Sequence, residues 1–432
     1  MAQLIVLLIV SMILLLIATV TSKNPITSPQ FGFIFCFIPG IVYAFAFIKK
    51  WDLDIKGTTM AVMIIGMTIY LIVSLLVGLF YKNSRRTAIQ EVAPRNIATW
   101  KINVFIVMEL ITFILTLFFL IKNFDSNLSA AMFAFRSEAG STSKDIIELP
   151  TIIKLLRRFS LSLGFVVIYL LLKGYVYSYK NNRKGLLCCF ILSMLNSISL
   201  GARGEAIQLI VAGVIQYLLL YKAKKGNKSI QAKSIVRILG LLVILLLSFS
   251  SVGELMGRNM SFLKFSDYIG VYLSAEIKNL DIFVRQGKVG TSLNNNQTLI
   301  YLINLLGKIT GDASIVHGLY TPFRYVNGYA LGNVSTTFYP FYYDGGIFGV
   351  VIYTMVMAWL TQISYQNAIK CKINNRVEFP VLLYSYVWYA VVFSFFSAKF
   401  YEMLLNTVFL WTILFWVIIS KFLFSRIKMK SV

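Results

Sequence analysis

The sequence predicts an all-α polytopic membrane protein, and three observations predict it. Of 432 residues, 58% are hydrophobic and only 13% are charged, whereas a soluble chain carries about 25% charged residues. Apolar runs of the length needed to cross a bilayer, about 20 residues, recur from end to end. Basic residues collect in the short gaps between alternate runs. Residues 1–432 therefore read as a single integral membrane domain, with a polar stretch at 253–345 as one large loop within it.

The hydropathy pattern places eleven spans near 2–20, 31–48, 58–81, 102–121, 161–179, 186–199, 206–221, 238–252, 346–364, 379–397 and 404–424. The first run lacks a basic start and a small-residue cleavage site, so it reads as a span and not as a signal peptide. The runs at 186–199 and 238–252 are short for a crossing. Lys82, Arg85, Arg86, Arg95 and Lys101 lie between spans three and four, and Lys180, Arg183 and Lys184 between five and six. Lys222, Lys224, Lys225, Lys228, Lys233 and Arg237 fill the next such loop, and Lys421, Arg426, Lys428 and Lys430 close the chain. Alternation puts all four groups on one side, which the positive-inside rule makes the cytoplasm. The same pattern accounts for the net charge of +24, so no nucleic-acid partner is expected. Eleven spans also put Met1 and the lysines of Lys49–Lys56 outside; a re-entrant or twelfth segment would relieve that conflict.

Three regions then face the outer side: residues 122–160, the turn at "GARGE", and the loop 253–345. In "ELPTIIKLLRRF", Leu149, Ile152, Ile153 and Leu156 share a helical face behind Pro150, and Leu299, Leu302, Ile303 and Leu306 repeat that pattern. Both stretches read as helices lying in the membrane interface. Cys36, Cys188, Cys189 and Cys371 show neither metal spacing nor a paired framework and read as packing residues. No nucleotide-binding P-loop, G-x-S-x-G or H-E-x-x-H pattern occurs.

The short gap "SISLGARGEAIQL" holds the first candidate chemistry. Gly201 and Gly204 make the turn tight, which keeps Arg203 and Glu205 near the rim of the bundle. A guanidinium there suits a phosphate, because its planar fork donates two charge-assisted hydrogen bonds. Arg203 and Glu205 can also pair with each other and simply order the turn. Arg136, Arg258 and Arg324 are further outer-side arginines. Each alone reads as a solvated loop charge, and several together would hold an anionic lipid headgroup. His317 is the only histidine; imidazole can accept a proton near neutrality, and a loop histidine can equally be an ordinary surface residue.

The tract "STTFYPFYYDGGIFG" crowds aromatics, Tyr343 among them, before a late span. An interfacial aromatic belt explains most of them, and aromatic faces also line sugar sites. Asp344 either caps a helix or binds a hydroxyl. Asp52 and Asp54 have a D-x-D spacing that can hold a metal, but neighbouring lysines neutralise them and no metal is expected. Glu109, in mid-span, is expected to pair with a loop arginine.

The stretches "SLGARGE" and "TTFYPFYYDGGIFGVVIY", with the polar outer loop, resemble the O-antigen polymerases, the Wzy-type oligosaccharide repeat-unit polymerases of Gram-negative bacteria. As motif the likeness covers about thirty residues, and as architecture the whole chain. The resemblance implies a GT-C-like membrane glycosyltransferase of the inner membrane, active at its periplasmic face. It would transfer a growing chain from undecaprenyl pyrophosphate to a new lipid-linked repeat unit, with no metal and no cofactor. Membrane lipid and a protein that sets chain length are the other implied partners. On this reading Arg203, with Arg136, Arg258 or Arg324, holds the leaving pyrophosphate. His317 or Glu205 accepts the acceptor proton, and Tyr343 and Asp344 contact sugar. An O-antigen ligase or a flippase for the same lipid-linked sugars are the alternatives.

Overall fold

A computed structural model describes residues 1–81, 97–139, 147–179, 182–226, 240, 265–287 and 295–425. Among these, eight helices are long and apolar enough to cross a membrane. They are α1 (Ala2–Thr21), α2 (Pro29–Ala44, prolonged by a 3-10 turn to Phe47), α3 (Gly57–Phe80), α4 (Thr99–Asn123), α6 (Thr151–Val176), α8 (Gly204–Lys225), α12 (Phe338–Lys370) and α15 (Thr407–Phe424). The protein is an all-α polytopic membrane protein. Two expected spans differ, and a third lies outside the described residues. That at 186–199 is α7 (Arg183–Ile198), whose 16 residues extend about 24 Å against a hydrocarbon core of about 30 Å. That at 379–397 is a 14-residue helix, α13 (Phe379–Val392), followed by a turn. The run at 238–252 falls outside the described residues, apart from Gly240.

The chain divides into two compact units, each assembled from separated stretches. The first comprises residues 1–85, 263–368 and 387–409. Besides α1 to α3 it holds α9 (Phe265–Leu273), α10 (Ala275–Gln286), α11 (Ile300–Thr310), a hairpin, residues 338–368 of α12 and the short α14 (Lys399–Leu404). Its apolar interior is an aromatic stack: Phe33 lies on Tyr70 at 3.9 Å and Phe37 on Phe338 at 5.4 Å. The Tyr70 hydroxyl meets Thr361 Oγ1 at 2.7 Å, so its one polar atom is satisfied. The hairpin pairs β1 (Arg324–Val326) with β2 (Tyr329–Gly332) through Asn327 and Gly328, both at positive φ. That is the type I′ geometry which an Asn-Gly pair supports. Leu331 of β2 packs on Phe47, Trp51 and Ala275.

The second unit comprises residues 86–262, 369–386 and 410–432. It holds α4, α5 (Leu128–Ala139), α6, α7, α8, and parts of α13 and α15. Two lysines are buried in it, each fully occupied. Lys101 Nζ donates to the carbonyls of Phe422 (2.8 Å) and Ser425 (3.0 Å) and to Ser425 Oγ (2.7 Å), a cation closing the C-terminus of α15. Lys173 Nζ pairs with Glu378 at 2.8 Å and donates to Arg376 O at 2.6 Å. Glu378 also takes the Tyr169 hydroxyl and, at 2.5 Å, the backbone N–H of Asn374.

Two sequence readings are corrected here. The stretch 148–159 is not a separate interfacial helix: α6 runs unbroken from Thr151 to Val176. No proline or glycine interrupts its first three turns, and two of its three charges there are matched, Lys154 by Glu148 at 2.5 Å and Arg157 by Glu205 at 3.6 Å. The aromatic tract is not chiefly an interfacial belt, since Phe338, Tyr339 and Phe341 are buried. The stretch around 299–306 does form a separate helix, α11, with Leu302 and Leu306 exposed along it.

Candidate functional site

In the second unit, charge gathers where α8 begins. The chain leaves α7 through Gly201, whose φ of +70° and close neighbour, Met132 O at 3.1 Å from an added Cβ, both favour glycine. Arg203 is the N-cap residue of α8 and is 8% exposed, whereas Glu205, two residues on, has 47% of its side chain exposed. The partner that the structure gives Glu205 is Arg157 of α6, Nη2 to Oε2 at 3.6 Å. Arg157 Nη1 in turn donates to Asn196 O (2.8 Å) and Ser199 Oγ (2.7 Å), which fixes the guanidinium. Arg136 of α5 also acts electrostatically on Glu205. Three guanidinium-bearing residues from α5, α6 and the α7–α8 turn thus surround the N-terminus of α8, where free backbone N–H groups add positive potential.

Beneath this group lies Glu109 of α4. Its carboxylate accepts from Ser193 Oγ (2.7 Å), Ser160 Oγ (2.6 Å) and Asn196 Nδ2 (2.5 Å). The loop arginine expected beside it is replaced by neutral donors from α6 and α7. Arg157, one turn before Ser160, acts on it electrostatically. A carboxylate inside a helix bundle needs such donors, because nothing in the lipid can supply them.

In the first unit, the loop before α11 meets the start of α12. Asp344 is a structural latch: Oδ1 and Oδ2 accept the backbone N–H groups of Gln297 and Thr298, each at 2.7 Å. Both bonds reach the loop before α11 and not its own helix. It sits just before a break in α12, where Gly346 has φ +58°. Tyr343 receives Asn295 Nδ2 at 3.2 Å, and its ring lies 6.0 Å from Tyr320 and 5.9 Å from Phe283. Gln297 Oε1 accepts the Tyr320 backbone N–H at 2.6 Å, and the Tyr339 hydroxyl donates to Tyr320 O. Arg324 opens β1 close to the phenols of Tyr339 and Tyr320; burial lowers its pKa and those phenols oppose the change. Tyrosine rings, amide groups and a guanidinium-bearing residue are thus brought together here.

His317 belongs to this cluster, and its ring lies against backbone carbonyls. Its Nδ1 lies 2.9 Å from Ile315 O and its Nε2 3.4 Å from Asn296 O. Its backbone exchanges two hydrogen bonds with the Asn304 side chain, at 3.0 and 2.9 Å. A neutral imidazole can donate to only one of these carbonyls, and the nearer is Ile315 O.

Of the residues read from sequence, Arg136, Arg203 and Glu205 lie in the second unit, and His317, Arg324, Tyr343 and Asp344 in the first. Arg258 lies outside the described residues. Asp54 pairs with the N-terminal amine at 3.4 Å, and the Asp52 carbonyl accepts Lys278 Nζ at 2.5 Å. Among the described residues no three His, Cys, Asp or Glu side chains gather in a way that could hold a metal ion. Arg157 is the residue that sequence reading passed over. Its one legible sign was a charge doublet, Arg157–Arg158, one turn before Ser160 in an otherwise apolar stretch. Comparison with family models, curated proteins and solved structures returns no match.

Proposed function

We propose that this protein is a membrane glycosyltransferase that polymerises lipid-pyrophosphate-linked oligosaccharide repeat units, in the manner of the O-antigen polymerases it resembles. One observation carries the reading: Arg136 and Arg157 both act on Glu205 in the first turn of α8, whose N-cap is Arg203, while Lys222, Lys224 and Lys225 occupy its last turn. A helix of 22 residues is about 33 Å long. Lysines in a last turn fit a cytoplasmic end, so the arginine group falls at the far membrane face, where a lipid headgroup lies.

On this reading the bond from the anomeric carbon to the pyrophosphate oxygen breaks, and its electron pair stays on the pyrophosphate. The arginines and the α8 N-terminus stabilise that charge. The acceptor hydroxyl oxygen bonds to the anomeric carbon, and its proton passes to a base. Glu205 is the better placed of the two candidates, since it lies beside the arginine group with 47% of its side chain exposed, while both His317 nitrogens face carbonyls. Tyr320, Tyr343 and Arg324 supply a saccharide-binding surface.

The test is the length ladder of surface polysaccharide, normalised to membrane protein amount. Loss of one preorganised donor costs about 10²–10³ in rate. Arg203→Ala should therefore abolish long polymer at normal protein level, and Arg203→Lys should restore only part of it. Deleting the gene should leave single capped repeat units; a flippase would leave none. Normal ladders from Arg203→Ala would remove this residue from the mechanism.

A further inference from the structure

Helix α10 carries a carboxylate to which no other described residue offers a donor. Glu276 is wholly buried, and neither Oε1 nor Oε2 takes a hydrogen bond from another described residue. Asn279 is 1% exposed; its Nδ2 donates to the carbonyls of Leu331 (3.3 Å) and Val334 (2.7 Å), while its Oδ1 likewise accepts nothing. Residues three apart on a helix share a face, with Cβ atoms about 5–6 Å apart. Three acceptor oxygens are thus gathered on one turn.

The turn itself is clamped. Ser274 Oγ donates to Gly40 O at 2.8 Å, and a Cβ on Gly40 would lie 2.3 Å from Leu273 O. The start of α10 is therefore pressed against the backbone of α2. The charged and titratable groups of the surrounding elements are engaged elsewhere. On α10, Lys278 donates to Asp52 O (2.5 Å) and Arg285 pairs with Asp281 (2.6 Å). On α9, Asp267 pairs with Lys50 (2.5 Å), and Tyr268 and Tyr272 meet edge to face at 4.9 Å. Tyr43 of α2 donates to Ser266 O (3.1 Å), the Lys56 backbone before α3 donates to Asp281 (2.9 Å), and Tyr329 of β2 faces Lys50. None of these acts on the Glu276 carboxyl. Burial raises its pKa well above the usual carboxylate range, opposed only by its own backbone N–H.

An ionised carboxylate left alone in an interior is far costlier than a paired one. One carboxylate with one neutral amide oxygen carries a single negative charge, and hard oxygens of this kind bind protons and small alkali cations. We propose that Glu276 and Asn279 form an exchangeable site for one positive charge, taken either as a proton or as a small monovalent metal ion such as sodium. Loading this site acts on the helix that also carries Phe283, whose ring meets Tyr339 at 4.4 Å. The proposal is independent of the transferase reading.

Thermal unfolding of the purified full-length protein, followed by tryptophan fluorescence across pH in equimolar sodium or choline chloride, tests it. A carboxyl whose pKa is raised in the folded state contributes stability at acid pH, and loses it as pH rises from the ordinary carboxylate range through the folded pKa. In choline, the wild-type midpoint should fall by several degrees as pH rises. If sodium is a ligand, sodium chloride should prevent that fall; if only a proton binds, the two salts should agree. Glu276→Gln, neutral and of the same shape, should flatten the response in both salts. Asn279→Ala keeps the carboxyl but removes the amide oxygen, so it should weaken sodium protection or move the pH midpoint down. The infrared band of a protonated carboxylic acid, present in wild type and missing in Glu276→Gln, reports the proton directly. Identical pH and salt responses in wild type and both variants, with no difference band, would overturn the site.

Discussion

Arg157 makes three polar contacts with different solvent screening, and that difference predicts what its loss does. The Glu205 side chain is 47% exposed, so the ion pair at 3.6 Å contributes little. The bonds to Asn196 O and Ser199 Oγ are at least partly buried, and a hydrogen bond from a charged donor contributes about 1.5–3 kcal/mol. Arg157→Ala should therefore lower stability by about that amount, read as a shift in the denaturation midpoint, and Glu205→Gln should lower it far less. Equal losses from the two would mean that the exposed pair dominates. These contacts were not legible in sequence: Arg157 and Glu205 are 48 positions apart (205 minus 157), and nothing in "LLRRF" separates a buried arginine from a solvated one. Residue types were legible, partners were not. The same holds for His317, whose two ring contacts are backbone carbonyls, and for Glu109, whose donors come from two other helices.

At the scale of elements, periodicity located helices well and breaks poorly. The apolar stripe at 299–306 appears as α11, because an amphipathic 3.6-residue period needs only local residues. The sequence cuts α6 short because its first turns carry charges; Glu148 lies six residues from Lys154, but the pairing of Arg157 with Glu205 is tertiary. The "DGG" break is visible as a motif, but sequence alone leaves Asp344 between a helix cap and a hydroxyl contact. Asp344 reaches back to the backbone of Gln297 and Thr298, while Gly346 turns the chain at φ +58°. Gly345 has φ −170°, which any residue adopts, and an added Cβ on either glycine meets nothing within 4 Å. Conformation alone then separates them. Gly346→Ala should destabilise by about 1–2 kcal/mol, and Gly345→Ala by clearly less, in parallel thermal melts. Equal midpoints would show that the turn at Gly346 adapts freely.

For the whole molecule, sidedness follows from where charge accumulates, and α8 alone supplies the argument. Its first turn follows Arg203 and contains Glu205; its last turn contains Lys222, Lys224 and Lys225, with Lys224 Nζ donating to Val176 O at 2.5 Å. The neighbouring helices agree in direction: Lys173 lies in the last turn of α6, and Lys101 begins α4. Multi-pass character was legible from composition because it needs only length and hydropathy. Span number was not, since α7 and α13 are apolar helices too short to cross by length alone. Sidedness read by counting inherits every such error, whereas the two ends of one helix do not. Single cysteines placed at positions 203 and 224, in a background lacking Cys36, Cys188, Cys189 and Cys371, should therefore label from opposite faces of sealed vesicles. Position 224 is expected to react with a membrane-impermeant reagent from the cytoplasmic face alone. Position 203 should react only from the other face, and more slowly, because Arg203 is 8% exposed. Labelling of both from one face would mean that α8 does not cross the membrane, and the arginine group would then lose its place beside a lipid-linked pyrophosphate.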